Sequence, residues 1–441
     1  MTSSLGSIRF SRAARAMARG IILLGALDAA AAISPQSQAV IPPADPLKSA
    51  VPAVRRKGAN DLARSGAADA LPRLAELVRD PDPEVRLAVL RSIASLRDLA
   101  GVPSMIVFML DSEVRLRSAA IDGVVEIYTH RDRPGGVSRF LSIFSDGRDK
   151  PEPLVVSAVD FEVYRSIAAL LKDSDAGVRE SAAEAIGILG GTEVAIDLVN
   201  ALRDSVPNVR SAAVSAIAKA GTSADGEALV PVIRDTNGGV RKRAIAALGR
   251  LKVNDAAPEL RRVYNSSPDP DERILALGTL AQLSLAEDRV LFQRLAAQAD
   301  PRRRKAALEG LGRLNDKSSE SLLKRGFQRE KDEDLRVAYA FAIFSLGDRP
   351  FIDTVILGLA GSRDRNRQSR GYLEELGARS LPEALDYLKE GDPKVRAGLC
   401  DALANAGVTE AAGAVEPLIK DADTQVRTSA VRAVGLLRRQ K

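Results

Sequence analysis

The chain has 441 residues, 45% of them apolar but only 4% aromatic, and it contains no tryptophan. A core of Ala, Leu, Val and Ile suits closely packed helices and argues against a sandwich or barrel, whose strands favour β-branched and aromatic side chains. The formal charge is +6, and Arg9, Arg12, Arg15 and Arg19 against Asp28 place half of it in the first 39 residues; the rest holds too small an excess for a dedicated nucleic-acid binder, while one cysteine and one histidine exclude a disulfide framework and a multi-cysteine metal site.

Residues 1–20 carry four arginines and no acid, Ile21 to Ala32 are mostly apolar, and small residues follow. That order is the layout of a secretory signal peptide over residues 1–32, with an organellar transit peptide or a cytoplasmic location as the alternatives. The apolar run is too short to span a bilayer, so no transmembrane span is expected in the mature chain. Residues 33–53, with Pro35, Pro42, Pro43, Pro46 and Pro52, read as an extended linker.

From residue 54 onward one phrase recurs: an acidic turn, then Val-Arg, then an Ala-rich helical pattern. It stands at Asp80–Arg86, Asp173–Arg179, Asp204–Arg210, Asp235–Arg241, Asp392–Arg396 and Asp421–Arg427, with weaker copies at Arg273, Arg304, Arg336 and Arg367. Together with Arg55 and Arg115 the arginines step by 29 to 32 residues, except for one step of 64 between Arg115 and Arg179. That gap predicts a degenerate unit near Leu154-Val155-Val156 and 13 copies in all. Within a copy, Val240, Ala244, Ala247, Leu248 and Leu251 fall on one helical face, and Leu229, Val230 and Ile233 just upstream form a shorter amphipathic helix. The acidic residues suit helix N-caps, and Gly190-Gly191, Gly221 and Gly249 are placed to end helices. One helix pair cannot bury its apolar face alone, so the pairs must stack.

The phrase D-x-D-x-x-V-R-x-x-A-x-x-A-L-G resembles HEAT repeats of the short type found in phycobilin lyase subunits and in many bacterial solenoids. The resemblance covers residues 54–441 and implies an all-α superhelix of the armadillo/HEAT type with about 12–13 two-helix repeats. It also implies that Arg86, Arg115, Arg179, Arg210, Arg241, Arg396 and Arg427 form a structural ladder between neighbouring units. As a guide to activity it is weak, because such solenoids include scaffolds, lyase subunits and enzymes.

Chemistry has little to work with. Deoxyhypusine hydroxylase, a HEAT-like diiron enzyme family, uses repeated His-Glu pairs, and here His130 in Thr129-His130-Arg131 is the only histidine. Cys400, within Ala397–Leu403, reads as a core cysteine. A bilin-lyase role conflicts with an exported location. No catalytic residue, cofactor or metal site and no small-molecule substrate is expected.

Two surface features are candidates for a partner. Arg302, Arg303 and Lys305 with Arg363, Arg365 and Arg370 lie near the starts of second helices, where they could form a basic stripe or a solvated face balanced by Glu309, Asp316, Glu320 and Asp332–Asp334. The irregular repeat at about 116–160, holding Tyr128, His130, Phe140 and Phe144, could carry a binding loop or fill a widening of the stack. The expectation is a non-catalytic scaffold that binds a protein partner along its concave face, with an enzyme or lyase subunit of the HEAT-like group as the rival and a polyanion or nucleic-acid binder as a third class.

Overall fold

The computed structural model describes residues 45–130, 155–156 and 158–439. The repeat body begins at Pro46. Each unit contains a short first helix and a longer second one. The second helices are α1 (Pro52–Ser65), α3 (Pro83–Leu96), α5 (Val114–Tyr128), α7 (Ala176–Leu189), α9 (Pro207–Ala220), α11 (Gly238–Arg250), α13 (Pro270–Leu283), α15 (Pro301–Arg313), α17 (Glu333–Ser345), α19 (Arg363–Leu376), α21 (Pro393–Asn405) and α23 (Thr424–Arg439). The first helices between them are α2 (Ala70–Ala75), α4 (Val102–Phe108), α6 (Phe161–Ala169), α8 (Ala195–Ala201), α10 (Ser223–Glu227), α12 (Ala257–Ser266), α14 (Arg289–Ala296), α16 (Glu320–Arg329), α18 (Ile352–Leu357), α20 (Leu381–Glu390) and α22 (Ala412–Val415). The described residues thus form an all-α solenoid with twelve second helices, the first of which lacks a preceding partner helix.

The sequence phrase divides its labour residue by residue. In the first turn Asp82 is the N-cap of α3, its carboxylate accepting from the backbone N–H of Glu84 at 2.9 Å and Val85 at 3.1 Å. Asp80 accepts from the N–H of Asp82 at 2.9 Å and faces the preceding unit. The arginine then joins two turns. Arg86 donates through Nη1 to the Asp80 carbonyl at 2.9 Å, and through Nε and Nη2 to both carboxylate oxygens of Asp111 at 2.7 and 2.9 Å. The same fork joins Arg55 to Asp80, Arg179 to Asp204, Arg210 to Asp235 and Arg396 to Asp421, always with a partner 25 residues ahead.

Three expectations change in the structure. The ladder residue of α5 is Arg117, not Arg115: Arg117 bonds Asp173 at 2.6 and 2.8 Å, whereas Arg115 reaches across the surface to Glu84. The cause is the distance from the acidic turn, since an arginine six residues past its turn Asp reaches both turns, as Arg86 does from Asp80 and Arg117 does from Asp111. Among the described residues no unit intervenes between α5 and α7, where the spacing predicts one near 154–156, and residues 131–154 lie outside the described residues. The spacing from Arg117 to Asp173 is 56 residues where its counterparts span 25, and α5 packs directly on α7. Thr129–His130, at the end of α5, pairs antiparallel with Val155–Val156. Twelve second helices are therefore present among the described residues. Finally, within the stretch expected as linker, Pro46–Lys48 form a 3-10 turn whose Leu47 is buried, with Pro46 and Leu47 packed closely over Gly58 of α1, while residues 33–44 lie outside the described residues.

The glycines of the phrase serve packing more than termination. Gly249 lies inside α11, and Gly187 and Gly312 meet the backbone of Ala216 and Ala342 so closely that a Cβ would sit 2.7 and 2.8 Å from their Cα atoms. Gly190 does end its helix in the left-handed conformation, but Gly221 does not, with φ at −78°. Small residues let successive second helices approach closely. Cys400 is fully buried, and burial followed by the charge of Asp401 pushes its thiol up to about 12. That protonated thiol is a packing group.

Candidate functional site

The second helices line the inside of the arc. Only on the inner side of a curved stack can side chains two units apart meet, and here they do. Arg313 of α15 donates to both carboxylate oxygens of Glu375 of α19 at 2.7 and 2.9 Å. Tyr372 of α19 donates to Glu309 of α15 at 2.5 Å, and Lys305 donates to Gln368 at 3.0 Å. Beneath this bridge lies α17, buried from Val337 through Ser345. An all-round apolar helix requires cover on all sides, and the α15–α19 bridge supplies it. Phe341 stacks on Tyr372 at 4.3 Å between ring centres, with the Arg313 guanidinium 5.6 Å from the Phe341 centre.

In α5 to α15 the positions five and nine residues past the ladder arginine form this inner side, with Ile188 the one apolar side chain longer than alanine among them. They read Asp122 and Glu126 in α5, Glu184 in α7, Ser215 and Lys219 in α9, Ala246 and Arg250 in α11, Gly278 and Gln282 in α13, and Glu309 and Arg313 in α15. The row is electrically divided. At its acidic part the enclosing wall desolvates the carboxyls: burial, then Glu126, raises Asp122 to about 6, and burial, then Glu180, raises Glu184 to about 7. In the next section burial, then Arg250, lowers Lys219 to about 8, and burial lowers Arg250. Asp122, Lys219 and Arg250 keep solvent-accessible side-chain surface, so these are groups in a groove rather than in the core. Groups held away from their ordinary ionisation in a cleft mark a surface suited to binding.

Glu184 gives a direct test. Its folded pKa lies above the ordinary 4.5, so the stability gained by holding the proton is complete below pH 4.5 and is lost as pH rises through about 7. Glu184→Gln therefore matches the parent at pH 4 and exceeds it by about 1–2 kcal/mol at pH 8, after allowance for partial solvation. Urea melts at the two pH values measure this difference.

A cavity of about 360 Å³ opens at the C-terminal ends of α11 to α19, lined by Lys252, Arg313, Phe341, Glu375, Leu376 and Arg379 among others. Lys252, Ser284 and Asn315 at its edge hold positive φ of 56°, 51° and 51°, where the later units carry the positive-φ glycines Gly347, Gly377 and Gly407. Side chains thus project at the cavity where later units present none. Such strained positions cluster at functional sites.

Apart from Lys305, the candidate residues named from the sequence fall outside this row and bridge. Arg302 pairs with Asp271 at 3.1 Å, Arg303 with Asp300 at 3.4 Å and Arg365 with Asp334 at 2.8 Å, so each of these cations has an acid beside it at the helix starts. Arg363 also has an interaction partner, Lys305 belongs to the α15–α19 bridge, and Arg370 is half-buried. Tyr128, expected at a binding loop, is 2% exposed in the core because it ends the apolar face of α5. The backbone of His130 pairs with Val155, and Phe140 and Phe144 lie outside the described residues. Of the ladder residues, Arg241 bonds Glu272 at 2.9 Å instead of a turn Asp, and Arg427 donates within its own turn, to the carbonyls of Asp421 and Ala422 and to the Thr424 hydroxyl. The inner row was missed although its signal was present: fixed offsets from each arginine place chemically unlike residues on one line.

A HEAT-repeat family model matches residues 45–124, 160–218, 197–281 and 381–441, more than half of the chain. The chain belongs to the HEAT-repeat family. Residues 1–44, 125–159 and 282–380 lie outside these matches, and in the last of these the regular Arg–Asp forks lapse and the α15–α19 bridge replaces them. Among solved structures, an engineered protein is 18% identical over 89% of this chain and 97% of its own, with a TM-score of 0.40. The complex of CpcE and CpcF of phycocyanin lyase from Nostoc sp. PCC7120 is 16% identical over 56% of this chain and 88% of that one, with a TM-score of 0.32. YibA of E. coli is 18% identical over 67% and 97%, with a TM-score of 0.39. No curated protein matches. Among the described residues there is no group of three or more His, Cys, Asp or Glu placed to hold a metal ion, and no helix long and apolar enough to cross a membrane.

Proposed function

We propose that this HEAT-repeat protein is an exported, non-catalytic scaffold that binds a protein partner along the inner face of its second helices. The observation that carries this reading is the inner row from Asp122 to Arg313, where charged groups are enclosed and partly desolvated at accessible positions. Keeping charge at such positions opposes stability, which a partner of complementary charge would relieve. The outer layer offers less, since its exposed apolar side chains, such as Ile196 and Val290, are scattered singly. The basic leader with its short apolar run supports export.

Affinity capture from the envelope of native cells tests both parts. The parent chain is expected to retain a partner that a Glu184→Lys, Arg250→Glu variant of equal thermal stability loses, and its N-terminus is expected to begin after residue 32 or shortly beyond. Equal capture by both chains, or recovery of the chain from cytosol with residues 1–32 intact, contradicts the corresponding part.

A further inference from the structure

We propose that the inner groove from α9 to α15 binds an acidic peptide segment, its carboxylates docking at Lys219 and Arg250 and, in the adjoining cavity, at Lys252, Arg313 and Arg379. The proposal rests on the scaffold reading above and names the chemistry of the partner.

Its first support is the composition of the cavity: three cations line it against one carboxylate, Glu375. The second is that the site already holds a carboxylate. Glu375 occupies the Arg313 fork in bidentate geometry while remaining 38% exposed, a built-in example of what the cavity accepts. Arg379 donates to the Ser345 carbonyl at 3.3 Å and Lys252 donates to that of Gln282, so both ammonium and guanidinium are fixed at the rim by neutral partners. The third is shape. Gln282 stands between Arg250 and Arg313, and one turn back along their helices the floor is Ala246, which is exposed, and Gly278, where a Cβ would meet nothing within 4 Å. A peptide backbone can therefore lie close to the helices there. Like charges pressed together support the same conclusion, because Arg250 depresses Lys219 and Arg313 depresses Lys252 after burial has done so.

Length favours a peptide over a nucleic acid. The basic section ends at Glu184 on one side and at Glu309 and Glu375 on the other, so a continuous polyanion would run onto acid at both ends. Four second helices at 8–10 Å spacing span roughly 25–30 Å, which fits about eight extended residues. Among the described residues the rings nearest the cavity, Phe341 and Tyr372, are buried and stack on each other, so they offer no face to a base.

Fluorescence anisotropy with a labelled oligoglutamate of about eight residues, at near-physiological ionic strength, tests the proposal against oligolysine and oligothymidylate controls. Oligoglutamate is expected to bind, and Arg250→Glu to weaken it roughly tenfold or more, the order expected for a desolvated charge contact. Gly278→Glu places a carboxylate in the groove and is expected to do the same, while replacing a helical glycine with a better helix former keeps the fold. Arg302→Glu, at an ion pair outside the groove, is expected to change nothing. Oligoglutamate binding that ignores both groove variants, no binding at all, or tighter binding of oligothymidylate overturns the proposal. The scaffold reading is judged separately, by whether the native partner is lost in the capture experiment.

Discussion

Arg210→Ala is expected to destabilise the chain by about 3–5 kcal/mol, the cost of leaving a buried charge without its partner. Arg210 and Asp235 are 11% and 9% exposed, so removing the guanidinium strands the carboxylate away from water. The same change also releases the carbonyls of Asp204 and Ser205, to which Nη1 donates at 2.8 and 3.2 Å. Because a solenoid is coupled mainly through nearest neighbours, a lost rung is expected to split urea unfolding into two transitions, one for the units on each side. Arg427→Ala serves as the internal comparison, since Arg427 bonds only within its own turn and should cost far less. A double variant, Arg210→Met with Asp235→Asn, removes both charges, keeps the side-chain acceptor for the N–H of Asn237, and should recover most of the loss. Equal effects of Arg210→Ala and Arg427→Ala on urea melts would show that the fork contributes nothing between units.

Phe341→Ala is expected to cost about 3–5 kcal/mol, the range for deleting a buried aromatic ring. The ring is 1% exposed, stacks on Tyr372 and lies under Arg313. Its loss removes the layer on which the α15–α19 bridge rests, so the Glu309–Tyr372 and Arg313–Glu375 bonds should loosen as well. Hydrogen exchange measures this locally: amides of α17 and α19 are expected to lose protection while those of α3 to α7 keep theirs. Uniform loss of protection across the chain would mean that the bridge is no separate structural unit.

The two variants probe different kinds of legibility. Arg210 belongs to a phrase repeated in register, so its structural role follows from the sequence, including the N-caps and the stacking of the units. The correction from Arg115 to Arg117 was also within reach, because only Arg117 stands six residues from its turn Asp, as Arg86 does. Phe341 lies in a run, Val337–Phe344, that lacks the polar face every exposed second helix needs, and that departure signals cover from a distant helix. Which helix provides the cover depends on curvature, a property of the whole stack that no single unit encodes. The charge division of the inner row was hidden for a related reason. Asp122, Glu184, Lys219 and Arg250 are ordinary surface residues within their own helices, and only stacking gathers them into one groove.

The most direct measurement of the central claim, that partners meet the inner face, is site-specific photo-crosslinking in native cells. A photoreactive phenylalanine analogue is placed at Ala246 and Glu126 on the inner row, and at Ile196 and Val290, which are 72% and 69% exposed on the first-helix layer. Partner adducts from Ala246 and Glu126, with none from Ile196 and Val290, are the predicted result. Adducts from the first-helix positions alone, or in equal yield from both layers, would contradict it.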